Sequence, residues 1–383
     1  MDFSWSEKSL KLRDEVIEFA RSELADDVIQ RDQDGVFARD LWKKCADFGI
    51  QGLAAPKQFG GRFDEVDILT AALAMEGLGY ACRDGGLVLG LNAQMWAVQM
   101  SIVLFGSEDL KKRYLPGMAS GESIGAHALT EKESGSDVFN IGTTAERCEG
   151  GYRLNGEKRL VTLAPVADVA VVFASTAPNR GKWGITAFVV ESSFEGYEAS
   201  PVRQKMGLRT VPIGEIAFRD CFVPEANRLG KEGAGFSISN HSLEYDRCCI
   251  LAGGLGAMER QLEEAVEFAK ERERFGQPIG SFQSVSNRIA DMKLRIETSR
   301  LLLYKMAWLK KNGESAMLEG ALLKLHLSEC FVASGLDSIR IHGGDGYLTE
   351  NGIERDLRDA IGGILYAGTS DIQRNIIARY LGL

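Results

Sequence analysis

Two carboxylates, Glu244 and Asp246, stand in a segment with a helical pattern that continues into apolar residues. Side chains two positions apart on a helix point ~200° away from each other, so the two are not expected to face one site. An apolar environment raises the pKa of a carboxylate toward neutrality, which suits a general base. Glu244 has the longer side chain and the larger apolar wall, and it is the preferred base. That wall consists of Cys248, Leu251 and Leu255.

Asp246 is the alternative base, although the residues on its own helix face are smaller. These residues are Ile250, Gly253 and Ala257. A purely structural role also fits either carboxylate, namely an ion pair with Arg247 or Arg260 on the surface of a helical bundle. The sequence therefore leaves both candidates open.

A second polar segment, residues 128–137, follows a β-type run and turns through glycine and serine. It contains Thr130, Ser134 and Ser136, together with Gly135. Hydroxyl and backbone N–H groups exposed in such a turn can hold an anionic oxygen or the polar edge of a flavin. A polar surface turn explains the same residues if the segment is considered alone.

Two other kinds of site are not predicted. The four histidines and seven cysteines lack metal-ligand spacing, so no metal site is expected. Three Gly-x-Gly pairs, beginning at residues 233, 254 and 344, lack the third glycine of the Rossmann fingerprint, and none follows a strand. A dinucleotide, if bound, must be held in another way.

The bulk properties narrow the class of protein further. A chain of 383 residues with 45% apolar composition can bury a large core in two or three domains. The formal net charge of −9 argues against nucleic acid or an anionic membrane as a partner. No signal segment is expected, and no uninterrupted apolar run approaches the ~18–20 residues that span a bilayer, so a cytoplasmic location is predicted, with reduced thiols.

The elements that position these residues fall into three regions. Helical periodicity extends to about residue 120, short β-branched runs separated by turn dipeptides follow, and long helices return after residue 233. We predict an α+β protein with an N-terminal helical domain at 1–121, a central antiparallel β domain at 122–226 and a C-terminal helical bundle at 227–383. One seam of that bundle runs through Val285, Ile289, Met292, Ile296, Leu303 and Met306.

Several segments also resemble, in the same order, the landmarks of the acyl-CoA dehydrogenase family. They are residues 128–137, 155–162, 206–209, 229–236, 272–283, 342–347 and 366–373. The resemblance covers essentially the whole chain. It implies the family's fold, whose C-terminal domain is a four-helix bundle, and an FAD held in extended form between the β domain and that bundle.

The resemblance also implies roles for individual residues. Thr130 and Thr162 would contact the isoalloxazine, and Ser136 would lie where flavin and thioester meet. Arg272 and Phe275 would reach the FAD of a neighbouring subunit, which implies a homotetramer arranged as a dimer of dimers. The remaining cofactor positions are Leu129, Gln283, Arg340, Gly344 and Thr369, of which Arg340 departs from the family's usual residue.

The closing motif departs from the family at the residue that matters most. The family's Tyr-Glu-Gly-Thr-Ser run carries the catalytic base, whereas this chain has Tyr366 followed by Ala367. Some branches of the family take the base from the helix that here begins at Ser242. Alignment on Arg247 puts Asp246 at that position, and Glu244 precedes it by two residues. Substrate contacts are expected from Ser136, Arg247, Tyr366 and Ala367.

Three functions remain open from the sequence. The first resembles the natural-product branch of the family, which oxidises a prolyl group tethered to a carrier protein to a pyrroline, by carboxylate proton abstraction and hydride transfer to flavin N5. The second is an acyl-CoA dehydrogenase that forms an enoyl thioester with a relocated base. The third is a catalytically silent flavoprotein scaffold. Either an electron-transferring flavoprotein or O₂ is expected as the electron acceptor.

Overall fold

The computed structural model describes residues 5–25 and 27–383. Its first third is helical, in agreement with the periodicity. A π-helical stretch, Ala93–Gln99, joins the fifth and sixth α-helices. The α-helices are α1 (Glu7–Glu23), α2 (Val28–Asp34), α3 (Arg39–Phe48), α4 (Ile68–Ala81), α5 (Gly85–Asn92), α6 (Met100–Phe105) and α7 (Glu108–Ala119).

Helix α4 is the centre of this helical layer. The Asp67 carboxylate caps its first turn by accepting a hydrogen bond from the backbone N–H of Thr70. Helix α1 packs on α4 through an apolar stripe at helical spacing. The stripe consists of Leu12, Val16 and Ala20, all buried.

The run Gly85–Phe105 is long and apolar, although Asn92, Gln94 and Gln99 interrupt it. It has 21 residues, and its most apolar window has a mean hydropathy of 1.5, so the run is long and apolar enough to cross a bilayer. However, 78% of its most apolar window is buried inside the fold. Its polar residues are buried too: the Asn92 side chain accepts a hydrogen bond of 2.9 Å from Trp96 Nε1. The run is therefore a core helix of this protein.

The middle region forms one sheet with the strand order β6-β7-β3-β2-β4-β5-β8, and β1 pairs with β4. The strands are β1 (Gly125–Ala128), β2 (Thr144–Cys148), β3 (Gly151–Thr162), β4 (Val169–Ser175), β5 (Ile185–Glu191), β6 (Tyr197–Ala199), β7 (Ile213–Pro224) and β8 (Arg228–Leu229). The strands pair antiparallel, as predicted, with two exceptions. Strand β4 pairs in parallel with β1 and with the end of β2. A parallel pair needs a crossover, which the β2–β3 hairpin supplies between β1 and β4.

The last region is again helical and contains the predicted bundle seam. Met292, Ile296, Leu303 and Met306 are fully buried, and so is Ser299 at the gap in the pattern. A small hairpin of β9 (Glu273–Arg274) and β10 (Gln277–Pro278) interrupts the helices. The helices are α8 (Gly235–Cys249), α9 (Ala252–Glu271), α10 (Gln283–Lys311), α11 (Met317–His342), α12 (Ile353–Gly363) and α13 (Ser370–Tyr380).

Helices α4 and α9 join the first region to the last at very close range. A Cβ built on Gly79 would lie 2.0 Å from the carbonyl oxygen of Gly253, and one built on Gly256 would lie 2.0 Å from that of Glu76. Only glycine permits this approach. The contact fixes the start of α9, and with it the helix that carries the two carboxylates.

Candidate active site

Helix α8 brings both predicted carboxylates into the interior. Glu244 and Asp246 are 6% and 5% exposed. The helix ends at Cys249 and α9 begins at Ala252, so the break between the two helices comes just after the two carboxylates. Their surroundings differ, as their angular separation on the helix predicts.

Asp246 lies in an apolar environment beside two cations. Burial raises the pKa of its carboxyl to about 7, while the Arg247 guanidinium and the Lys324 ammonium act in the opposite direction. Burial also lowers the pKa of Lys324, to about 8. A carboxyl group with a pKa near neutrality can accept a proton and release it again at physiological pH.

Glu244 has a different partner. Its Oε2 atom accepts a hydrogen bond of 2.6 Å from Lys310 Nζ, and both side chains are buried. The same ammonium lies 4.8 Å from the centre of the Tyr245 ring. The apolar wall predicted for Glu244 exists, since Cys248, Leu251 and Leu255 are all buried. Lys310, which the helical pattern of α8 does not reveal, forms an ion pair with this carboxylate.

The closing segment lies against α8. The Ala367 carbonyl oxygen accepts hydrogen bonds from Arg247 Nε at 3.5 Å and from Gln373 Nε2 at 3.2 Å. Ala367 has a φ of 52°, in the left-handed region that L-residues seldom adopt. The side chain of Thr369 caps α13 by accepting a hydrogen bond from the backbone N–H of Ile372. Arg247 and Ala367, both predicted substrate contacts, are therefore neighbours.

A cavity lies between these elements and the N-terminal helical layer. Its wall includes Ile250, Gly253 and Ala257, the residues that follow Asp246 on one helix face. Tyr366, Leu208 and Gly85 line the other sides. Burial raises the pKa of the Tyr366 hydroxyl, and the charges of Asp246 and Asp359 add to this effect. The cavity thus belongs to the Asp246 face and not to the Glu244 face.

The predicted isoalloxazine contacts lie on the sheet. Leu129 is buried, and its carbonyl oxygen accepts a hydrogen bond of 3.3 Å from Lys158 Nζ. Thr130 follows it, and Thr162 ends strand β3, both half-buried. Ser136 is exposed, and a Cβ built on the adjacent Gly135 would meet no atom within 4 Å. This open polar surface fits the ring of a flavin.

Three predicted cofactor residues lie apart from this surface in the single chain. Arg272 and Gln283 are exposed on either side of the β9–β10 hairpin. Phe275 at the hairpin turn is 94% exposed and has a φ of 53°. An aromatic side chain so exposed fits a residue that packs against another molecule, as the family resemblance implies.

The last two predicted cofactor residues lie near the end of α11. Arg340 is exposed and donates a hydrogen bond of 3.2 Å to Asp337 Oδ1. Gly344 is also exposed, and a Cβ placed there would meet nothing within 4 Å. The surface around Gly344 is open enough for a nucleotide to approach the backbone, while Arg340 has an ion-pair partner of its own.

Two residues of the site were missed in the sequence. Lys324 is fully buried on α11, and its Nζ is without a hydrogen-bond partner among residues 5–25 and 27–383. Its signal was a single charge within an otherwise apolar stretch, Ala321 to Leu325. Asp359 lines the cavity and accepts a hydrogen bond from the backbone N–H of Leu208. Burial raises the pKa of its carboxyl to about 7.

A helical layer, a β sheet and a helical bundle that together enclose a buried carboxylate are typical of a class of flavin-dependent dehydrogenases. Three family models match nearly the whole chain: the acyl-CoA dehydrogenase N-terminal domain at residues 6–122, the middle domain at 126–221 and the C-terminal domain at 233–382. The chain belongs to the acyl-CoA dehydrogenase family. The predicted family and fold class are thereby confirmed.

Individual relatives narrow the comparison. The chain is 42% identical to an L-prolyl-[peptidyl-carrier protein] dehydrogenase of Pseudomonas fluorescens, over 100% of both chains. It superimposes on a crystal structure of the prolyl acyl carrier protein oxidase AnaB with a TM-score of 0.97, at 45% identity over 99% of this chain and 100% of the other. It also superimposes on PigA with FAD and proline with a TM-score of 0.97, at 42% identity over 100% of both chains.

Proposed function

We propose that this protein uses FAD to oxidise a prolyl group, held as a thioester on a carrier protein, to a pyrroline. The observation that carries the proposal is the 42% identity to a prolyl-carrier-protein dehydrogenase over the full length of both chains. The site supports it, because a buried carboxylate stands across from a closing motif that has lost its own base.

The residues present fit an FAD in extended form. Thr130 and Thr162 would hold the isoalloxazine, and Thr369 would hold the diphosphate. Arg272 and Phe275 would complete the site from a neighbouring subunit. The bound flavin supplies an acceptor for hydride at N5. The open backbone at Gly135 and Gly344 supports this arrangement.

We propose Asp246 as the base, which reverses the preference drawn from the sequence. Its pKa of about 7 lets it act near neutral pH, whereas Glu244 is tied to Lys310. Its helix face continues into the cavity wall at Ile250 and Gly253. Glu244 remains the alternative, because the binding of substrate can separate an ion pair.

The chain's own residues would carry out the proton transfer. The thioester carbonyl acidifies the α carbon, and the Asp246 carboxylate would accept the proton from that carbon. The hydride would leave from the neighbouring ring carbon, so that the double bond of the pyrroline forms between the two carbons. Arg247, cationic and in contact with the Ala367 carbonyl, would hold the closing segment and favour the ionised carboxylate. The apolar walls at Leu208 and Ile250 would exclude water from the ring.

The assembly and its surroundings are also proposals. We infer a homotetramer, supported by the 94% exposed side chain of Phe275 on its hairpin. One relative is named a dehydrogenase and another an oxidase. Either an electron-transferring flavoprotein or O₂ is therefore proposed as the acceptor. A cytoplasmic location is proposed because the seven cysteines are free thiols in the structure.

Anaerobic mixing tests the substrate. The FAD-loaded enzyme is combined with an L-prolyl-loaded carrier protein and, separately, with a panel of acyl-CoA thioesters, and the yellow flavin band is followed. Bleaching by the prolyl carrier is expected. Bleaching only by an acyl-CoA would overturn the proposal in favour of an acyl-CoA dehydrogenase, and bleaching by no thioester would indicate a silent flavoprotein. Reoxidation by air or by an electron-transferring flavoprotein then identifies the acceptor.

A further inference from the structure

A group of three aromatic rings and one lysine includes a residue close in the chain to Ser136, the predicted thioester contact. The Phe236 ring contacts Phe139 at 4.7 Å and Trp183 at 5.0 Å between centroids, both edge to face. The Lys182 ammonium lies 4.5 Å from the centre of the Phe236 ring and 5.3 Å from that of Trp183. Trp183 is 51% exposed, whereas Phe139 and Phe236 are half-buried, so the indole ring of Trp183 is the part of the group that faces solvent.

The loop that carries Trp183 is strongly cationic. Residues 178–184 include Arg180 and Lys182 but no acidic residue, in a chain whose net charge is −9. Both cations are exposed. Glu232, whose neighbour Gly233 lies against the Trp183 carbonyl, already pairs with Arg147 at 3.1 Å. The loop is thus a local positive patch on an acidic protein.

The position of the patch links it to the reaction centre. Phe139 lies three residues after Ser136, and Phe236 lies in the first turn of α8. Asp246 is ten residues further along the same helix, which is ~15 Å at 1.5 Å per residue. This is about the reach of a phosphopantetheine arm, whose sulfur must arrive beside the base while its phosphate stays on the carrier surface.

We propose that the loop 178–184, with the exposed face of Trp183, is the docking site for an acidic carrier protein, and that Arg180 and Lys182 contact the carrier's carboxylates near the arm. The inference rests on the proposed function. Charge complementarity selects an acidic partner and accelerates encounter. Tryptophan and arginine are the residues that most often dominate binding energy at such surfaces.

The test compares the oxidation of a carrier-bound substrate with that of a small thioester that has no carrier protein. The double variant Arg180→Glu/Lys182→Glu and the single variant Trp183→Ala are assayed with prolyl-loaded carrier protein and with the small thioester prolyl-pantetheine. We expect KM for the carrier to rise roughly tenfold or more, with kcat unchanged. Turnover of prolyl-pantetheine should be unaffected, which also shows that the variants are folded and hold FAD.

A matched control is Lys112→Glu, an exposed lysine next to Arg113, which binds Glu191 at the opposite end of β5 from the loop. It should leave KM for the carrier unchanged. An unchanged KM in the loop variants, or an equal loss with both substrates, would overturn the docking site. If the unmodified enzyme oxidises neither prolyl thioester, the proposed function itself fails.

Discussion

At the scale of single residues, the reaction requires a carboxylate that is buried yet can still ionise. Asp246 meets this requirement because burial raises the pKa of its carboxyl to about 7, while Arg247 and Lys324 limit the rise. An unpaired aspartate at the same depth would stay protonated. Lys324 is therefore a positioning residue for this charge, and it need not touch the substrate.

The pH dependence of flavin reduction tests this environment. A base must be ionised to accept a proton, so the rate with prolyl-carrier substrate should rise with pH and reach half its maximum near the Asp246 pKa of about 7. Lys324→Met removes a cation that lowers this pKa. The midpoint should therefore move to higher pH, by roughly one unit or more. Stopped-flow absorbance at the flavin band measures both profiles.

Lys310→Met is the matched control, because it removes the cation that binds Glu244. This variant should lose stability, by about 3–5 kcal/mol, since a buried carboxylate is left without its partner. The pH midpoint of flavin reduction should stay in place. A midpoint that moves with Lys310→Met but not with Lys324→Met would identify Glu244 as the base.

The residues of the site differ in how far the sequence could reveal them. The missing base at Ala367 and both candidate carboxylates are visible as residue types at fixed spacing. The choice between the carboxylates is not, because the lysine that neutralises Glu244 is 66 positions away in the chain. Helical spacing describes one face of one helix, and it carries no information on what the fold places opposite.

At the scale of elements, the periodicity of apolar residues predicted the helices and strands well. The α10 seam is buried from Met292 onward, including Ser299 at the gap in the pattern, while Val285 and Ile289 are half-buried. The parallel pairing of β1 with β4 could not be predicted, because it depends on how the β2–β3 hairpin crosses the sheet. The close contact of Gly79 with Gly253 is likewise a property of two helices together.

At the scale of the whole molecule, the single chain leaves part of the predicted FAD site on an outer surface. Phe275 is exposed at a strained turn, with a φ of 53°. In a tetramer, the strained turn would hold the Phe275 ring against the FAD of a neighbouring subunit. The sequence implies this assembly only through the family resemblance. The periodicity of a chain shows which residues face its own core, but it does not show which surfaces contact another subunit.

Phe275→Ala tests the assembly. Loss of a ring that a neighbour's FAD would cover should weaken FAD binding by about 2 kcal/mol, which is roughly 30-fold, while the fold of each chain is retained. FAD content per chain after gel filtration, with the molecular mass measured in the same run, gives the answer. Val36→Ala, which trims another exposed apolar side chain, should leave FAD content unchanged. Full FAD retention by Phe275→Ala would argue against a site shared between subunits.

The most direct measurement compares two isosteric variants in a single turnover. Asp246→Asn and Glu244→Gln, each loaded with FAD, are mixed anaerobically with prolyl-carrier protein, and the rate of flavin bleaching is recorded. Removal of the base should slow Asp246→Asn by roughly 10²–10⁴-fold. Glu244→Gln should stay within several-fold of the unmodified enzyme. Rapid bleaching by Asp246→Asn, with loss in Glu244→Gln, would contradict the assignment of Asp246 as the base.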